Sequence, residues 1–257
     1  MTTFLAAEDI VHHLLDYPRG SFTAHQYLLI GVAIFTIVLF TVMARRTKEV
    51  PPKKGIFGLL EFALVWLRDE VVYPWLGPER GRRYLGFFWT MFFFILFCNL
   101  VGLLPFPFNP WERTATGNLA VTGALALIVF IVVQVSGMRA HGYLKYWKDL
   151  VPAGTPGFLW PLVWVIEFIG LFTKPFALTV RLFANMTGGH AILLVLFGFL
   201  YFVPHANRGL LGIPSTVASF GFILFIMLFE VLVALIQAYI FTVLSAIFTS
   251  LAVAEEH

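Results

Sequence analysis

Residues 214–254 read PSTVASFGFILFIMLFEVLVALIQAYIFTVLSAIFTSLAVA, a stretch of 41 positions with one formal charge, Glu230. At 1.5 Å per residue such a helix reaches roughly 60 Å, about twice the hydrocarbon thickness of a bilayer. No proline follows Pro214, so nothing in the stretch breaks the rod. A strongly tilted helix is predicted, and such tilt needs a protein surface to pack against. Residues 158–203 form a second long apolar run of 46, in which Pro161 and Pro175 permit bends. Together they predict a long, tilted antiparallel pair.

Working back towards the N-terminus, residues 27–44 are an uncharged run long enough to span. It stops at Arg45, Arg46 and Lys48, with Lys53 and Lys54 behind, which predicts a cytoplasmic end and a non-cytoplasmic segment 1–26. That segment carries Glu8, Asp9 and Asp16 and no apolar core, so the first span is expected to act as an uncleaved anchor. Residues 55–73 mix Glu61, Arg68, Asp69 and Glu70 with apolar and aromatic residues, which predicts an amphipathic helix on the membrane surface. Residues 84–138 read as a helical hairpin, turned by the prolines at 105, 107 and 110. The hairpin returns to a positive end at Arg139, His141, Lys145 and Lys148.

Composition agrees. Of 257 residues 60% are hydrophobic and 12% charged, about half the charge of a soluble domain. The net charge of +3 is too small to suggest nucleic acid, and 29 phenylalanines are spread along the chain rather than grouped for base stacking. Cys98 stands alone, which excludes an intrachain disulfide and cysteine-rich metal sites. No cofactor or metal is expected. The fold class is an all-α integral membrane protein with a single membrane domain, 1–257.

Between Pro175 and Ala254 the formal charges are Arg181, Arg208 and Glu230, and Arg208 belongs to the connecting loop beside His205 and Asn207. Arg181 sits deep in its segment. A central arginine costs about 2.5–3.5 kcal/mol on insertion scales and cannot lose its proton. At 100° per residue Glu167, Lys174, Arg181 and Gly188 share one face, with Asn185 about 40° from Arg181. Gly170, Ala177, Ala184 and Gly188 are small residues at similar spacing, which lets another helix come close. His190 points the opposite way. On the last helix Glu230, Gln237 and Ser219 form a polar stripe. His190 and Glu230 both titrate, which suits a proton relay, while a hydrogen-bonded structural pair is the alternative.

The stretch Arg181-Leu-Phe-Ala-Asn185-Met-Thr-Gly-Gly-His190 closely resembles subunit a of the membrane sector of bacterial F-type ATP synthases. Lys174-Pro175 before it and Leu235-Ile-Gln237-Ala-Tyr-Ile-Phe241 after it extend the likeness, as do Asp9-Ile-Val-His12-His13 and the ending Glu255-Glu256-His257. The resemblance covers essentially the whole chain and is strongest from Glu167 onwards.

It implies a non-catalytic stator subunit in the bacterial inner membrane, packed against a ring of c subunits and held by b-type stalk subunits within the full complex. Two offset half-channels would carry protons to the ring carboxylates. By resemblance Arg181 faces the ring and separates the half-channels, with Asn185 and Gln237 at the same crossing. His190 and Glu230 match the interacting pair of the non-cytoplasmic half-channel, with acid and histidine exchanged as in mitochondrial relatives. Asn118 matches a position that is often acidic and is expected to hydrogen-bond channel water. Glu167 and Lys174 match polar positions near the cytoplasmic route, although their spacing equally suits an ion pair.

Three other classes give distinct expectations. A secondary transporter commonly shows an inverted repeat, and none is visible. A haem-binding subunit needs axial ligands facing one pocket, and only His190 lies deep. A purely structural anchor would tolerate loss of Arg181.

Overall fold

The computed structural model describes residues 18–19, 22–46, 55–104, 115–148, 150–151, 154–206 and 212–254. The N-terminal segment before these, the proline turn at 105–110, Arg208 and the ending 255–257 lie outside the described residues. A short antiparallel ladder pairs β1 (Pro18–Arg19) with β2 (Phe22–Thr23). The elements described after it are all helices: α1 (Ala24–Arg46), α2 (Ile56–Trp66), a π-helix (Leu67–Val72), α3 (Tyr73–Gly102), a 3₁₀ turn (Ala115–Gly117), α4 (Leu119–His141), α5 (Tyr143–Lys148), α6 (Trp160–Ala206) and α7 (Gly212–Val253). Among the described residues five helical runs are long and apolar enough to cross a membrane. The chain is a multi-pass, all-α membrane protein.

The helix expected over 55–73 is there in two parts, and its charges cluster in the π turn. Arg68 and Asp69 form an ion pair there, Nε to Oδ1 at 2.8 Å. Leu67, Val71 and Val72 of the same turn are fully buried. The wider π spacing keeps these three apolar side chains inward while Asp69 and Glu70 stay exposed. The helical segment continues a few residues past 73, as far as a kink within α3. The change of direction comes at Gly77, whose φ of 70° only glycine adopts freely, followed by Pro78.

α6 runs 47 residues and α7 42, both unbroken. Pro175 therefore sits inside a continuous helix, where Thr179 Oγ1 donates to the Pro175 carbonyl at 2.9 Å.

The chain packs as two compact units, each assembled from parts of several helices. The first comprises 1–35, 94–118 and 182–237. Within it, Val32, Cys98 and Ala115 form a buried cluster flanked by Leu28, Leu29, Phe94, Phe97 and Val101. Asn99 is fully buried: its Oδ1 accepts from Thr116 Oγ1 at 2.7 Å, and its Nδ2 donates to the Ala234 carbonyl at 3.5 Å. In apolar surroundings an unpaired amide is costly, so this network fixes the 3₁₀ turn and α7 onto α3.

The second unit comprises 36–93, 119–181 and 238–257. Two of its indoles are tied to backbone: Trp89 Nε1 donates to the Leu64 carbonyl at 3.0 Å, and Trp164 Nε1 to that of Trp147 at 3.1 Å. The last turn of α7 is held from two other helices. Arg80 Nη1 donates to the Val253 carbonyl at 3.1 Å, and His141 Nε2 lies 3.0 Å from the Ala254 carbonyl. Helix C-termini leave carbonyls unpaired and carry a partial negative charge, so basic side chains suit this end.

Candidate functional site

α6 divides its residues by face. Leu178, Leu182 and Met186, at successive i+4 positions, are buried. Ala177, Arg181, Ala184, Asn185 and Gly188 are exposed. A Cβ added at Gly188 would meet nothing within 4 Å. Arg181 thus stands on an open strip of small residues, as its spacing predicted, and among the described residues it has no ion-pair partner. A permanent cation on an apolar, membrane-spanning helix is costly unless an anionic group comes close to it.

One turn on from Arg181, Asn185 Nδ2 donates to Gln237 Oε1 at 2.6 Å. Gln237 is 1% exposed and its Nε2 is buried with no hydrogen-bond partner. Asn185 and Gln237, placed by resemblance near one crossing, make a direct contact between α6 and α7. Glu230, two turns before Gln237, is also buried, and both of its carboxylate oxygens lack a hydrogen-bond partner among the described residues. Gly189 makes room for it: a Cβ there would lie 2.8 Å from Glu230 Oε1. Thr187 Oγ1 is a further buried polar atom without a partner. A run of unsatisfied polar atoms in one apolar unit marks a place where water, a proton or another chain supplies the missing bonds.

His190 directly follows Gly189 on α6, but its side chain lies outside the described residues, as does that of Ser219 on α7. Asn118 occupies the bend before α4, half-buried. Gly189, Thr187 and Asn99 are polar or small positions that the sequence did not single out. For Asn99 a signal existed, an amide within a long uncharged run. For Gly189 the signal is the Gly188-Gly189 pair beside a histidine.

Glu167 and Lys174 lie in the second unit and line a cavity of about 490 Å³, together with Gln134, His141, Lys145 and Tyr146. The ion pair that their spacing allowed does not form: the Lys174 ammonium lies 5.5 Å from the centre of the Phe248 ring instead. Tyr146 Oη donates to Gln134 Oε1 at 2.8 Å, and burial holds the phenol above its ordinary pKa. The cavity therefore has an apolar floor and a wall that offers several donors and one carboxylate.

Comparison with known proteins agrees with the geometry. The family model described as ATP synthase A chain matches residues 26–250. The protein called ATP synthase subunit a in Myxococcus xanthus is 41% identical over 239 residues, covering 92% of this chain and 74% of that one. That of Chloroherpeton thalassium is 43% identical over 272 residues, 96% of this chain and 77% of the other. In Chlorobium phaeobacteroides the figure is 39% over 276 residues, with 98% and 77% covered. The chain belongs to the ATP synthase A chain family.

Proposed function

We propose that this chain is the membrane stator of a proton-translocating F-type ATP synthase, non-catalytic itself and coupling proton flow to rotation of a ring of c subunits. The observation that carries the reading is Arg181: a cation with no ion-pair partner among the described residues, on an exposed strip of small residues, one turn from the Asn185–Gln237 bond. A ring carboxylate passing this strip would be held ionised by the guanidinium and release its proton. Rotating onward into lipid it must be neutral, because an unpaired charge there is costly. The fixed positive charge also keeps protons from leaking directly between two half-channels.

The non-cytoplasmic half-channel runs by Glu230 and His190, with Ser219 and Asn118 in supporting roles. Buried carboxylate oxygens without partners support Glu230 as its proton-binding group. The cavity lined by Glu167 and Lys174 is the cytoplasmic vestibule, since His141 and Lys145 of the positive end that follows α4 also line it. In this orientation the N-terminus is non-cytoplasmic, the membrane is the bacterial inner membrane, and b-type subunits anchor the stator. One charge crossing 100 mV is worth about 2.3 kcal/mol, so several protons must be pooled by rotation for each ATP.

The deciding experiment is ATP-driven acidification of everted membrane vesicles, wild type against Arg181→Ala, at matched abundance of the complex. Pumping lost with the complex assembled supports the reading. Unchanged pumping reduces Arg181 to a structural residue and overturns it.

A further inference from the structure

The vestibule has a wall that the family likeness did not point to. α5 spans only Tyr143–Lys148, too short to hold together as an isolated helix. Tyr143, Leu144, Lys145 and Lys148 of this helix are exposed, but Tyr146 is 8% exposed. Two contacts with α4 hold it. Its ring lies on Gly137, where a Cβ would overlap the ring and also come within 3.0 Å of the Ala252 carbonyl. Its hydroxyl donates to Gln134 Oε1, one turn earlier on the same face of α4. Gly142, with φ of 83°, turns the chain so that α5 can fold back this way. Tyr146 and Gln134 line the same cavity as Glu167 and Lys174.

The chemistry of this pair is specific. A hydroxyl bonded to the amide oxygen leaves the NH₂ as the group that Gln134 offers to the cavity. A neutral amide neither takes nor gives a proton at any physiological pH. It can orient water towards Glu167 without trapping the proton, whereas a charged group at the same place would repel it or hold it.

We propose that Tyr146 is a positioning residue for proton passage: it fixes the Gln134 amide so that its NH₂ orders water in the vestibule against Glu167. The proposal rests on the reading of this cavity as the cytoplasmic vestibule.

Everted vesicles carrying the whole complex test it with two readouts. One is the initial rate of ATP-driven acidification, divided by the ATP hydrolysis of the same vesicles. The other is the labelling rate of Leu178→Cys, in a Cys98→Ala background, by a small water-soluble thiol reagent. Leu178 lines the cavity and is otherwise buried. Tyr146→Phe keeps the ring on Gly137 and removes only the hydroxyl; Gln134→Met removes the amide at nearly constant volume. Each is expected to lower coupled acidification about fivefold, the scale of one buried hydrogen bond. The double variant is expected to be no worse than either single, because both remove one interaction. Labelling of Leu178→Cys should stay within about twofold throughout.

Unchanged acidification in both single variants, with Leu178→Cys labelled and Glu167→Gln impaired, overturns the role of Tyr146 and leaves the vestibule standing. Additive losses, or losses that merely follow labelling or complex abundance, overturn it as well. A Leu178→Cys that resists labelling, together with a fully active Glu167→Gln, removes the vestibule and the proposal with it.

Discussion

Gly189 and Glu230 meet so closely across two helices that no side chain fits between them: a Cβ at 189 would lie 2.8 Å from the carboxylate oxygen Oε1. Glu230 gains its buried position from that missing methyl group, and its carboxylate has no hydrogen bond among the described residues. Gly189→Ala must push the carboxylate aside or part the helices. We expect it to cut ATP-driven acidification in everted vesicles at least severalfold. In the detergent-solubilised chain alone, Gly188→Ala should leave thermal stability unchanged, since a Cβ there meets nothing within 4 Å.

Arg181→Lys should not restore pumping. Lysine keeps a charge but can lose its proton in an apolar setting, and it lacks the planar five-donor fork. Rates of ATP synthesis near wild type in Arg181→Lys membranes would contradict this.

The Asn185–Gln237 bond predicts coupling between the two positions. Asn185→Leu and Gln237→Leu should each lower stability, with a coupling energy of about 1 kcal/mol in a double-mutant cycle read by thermal unfolding in detergent. Zero coupling would mean that the two amides act separately.

If His190 and Glu230 form one relay, exchanging them should preserve it. His190→Glu combined with Glu230→His is expected to retain more proton transport than either single change. Additive losses measured in the same vesicles would show that the two groups do not act as a pair.

At the end of α7, Arg80→Ala and His141→Ala each remove a basic partner from a terminal carbonyl. Each should speed amide hydrogen exchange in the last turn of α7, corresponding to about 0.3–1 kcal/mol of lost local stability. Protection that stays at the wild-type level would mean that neither side chain holds this end.

The sequence revealed residues that are expensive where they stand. Arg181 and Glu230 interrupt long uncharged runs, so their cost in a bilayer drew notice without any contact being known. Helical spacing alone then placed Arg181, Ala184, Asn185 and Gly188 on one side of α6. The contacts of Gly189, Asn99 and Tyr146 were not legible, because each depends on which distant helix lies opposite. The same holds for Arg80, whose acceptor is 173 residues away. Around residues 67–72 the charges suggested an amphipathic face, and periodicity at 3.6 could not show that the backbone widens to a π turn there.

The clamp on α7 also orders events in time. Arg80 and His141 leave the ribosome long before Val253 and Ala254, the carbonyls they hold. The second unit draws on residues of α7 as well, so its earlier segments gain those contacts only once α7 has been made. A chain cut short before α7 would lack the two carbonyls, of Val253 and Ala254, against which Arg80 and His141 lie.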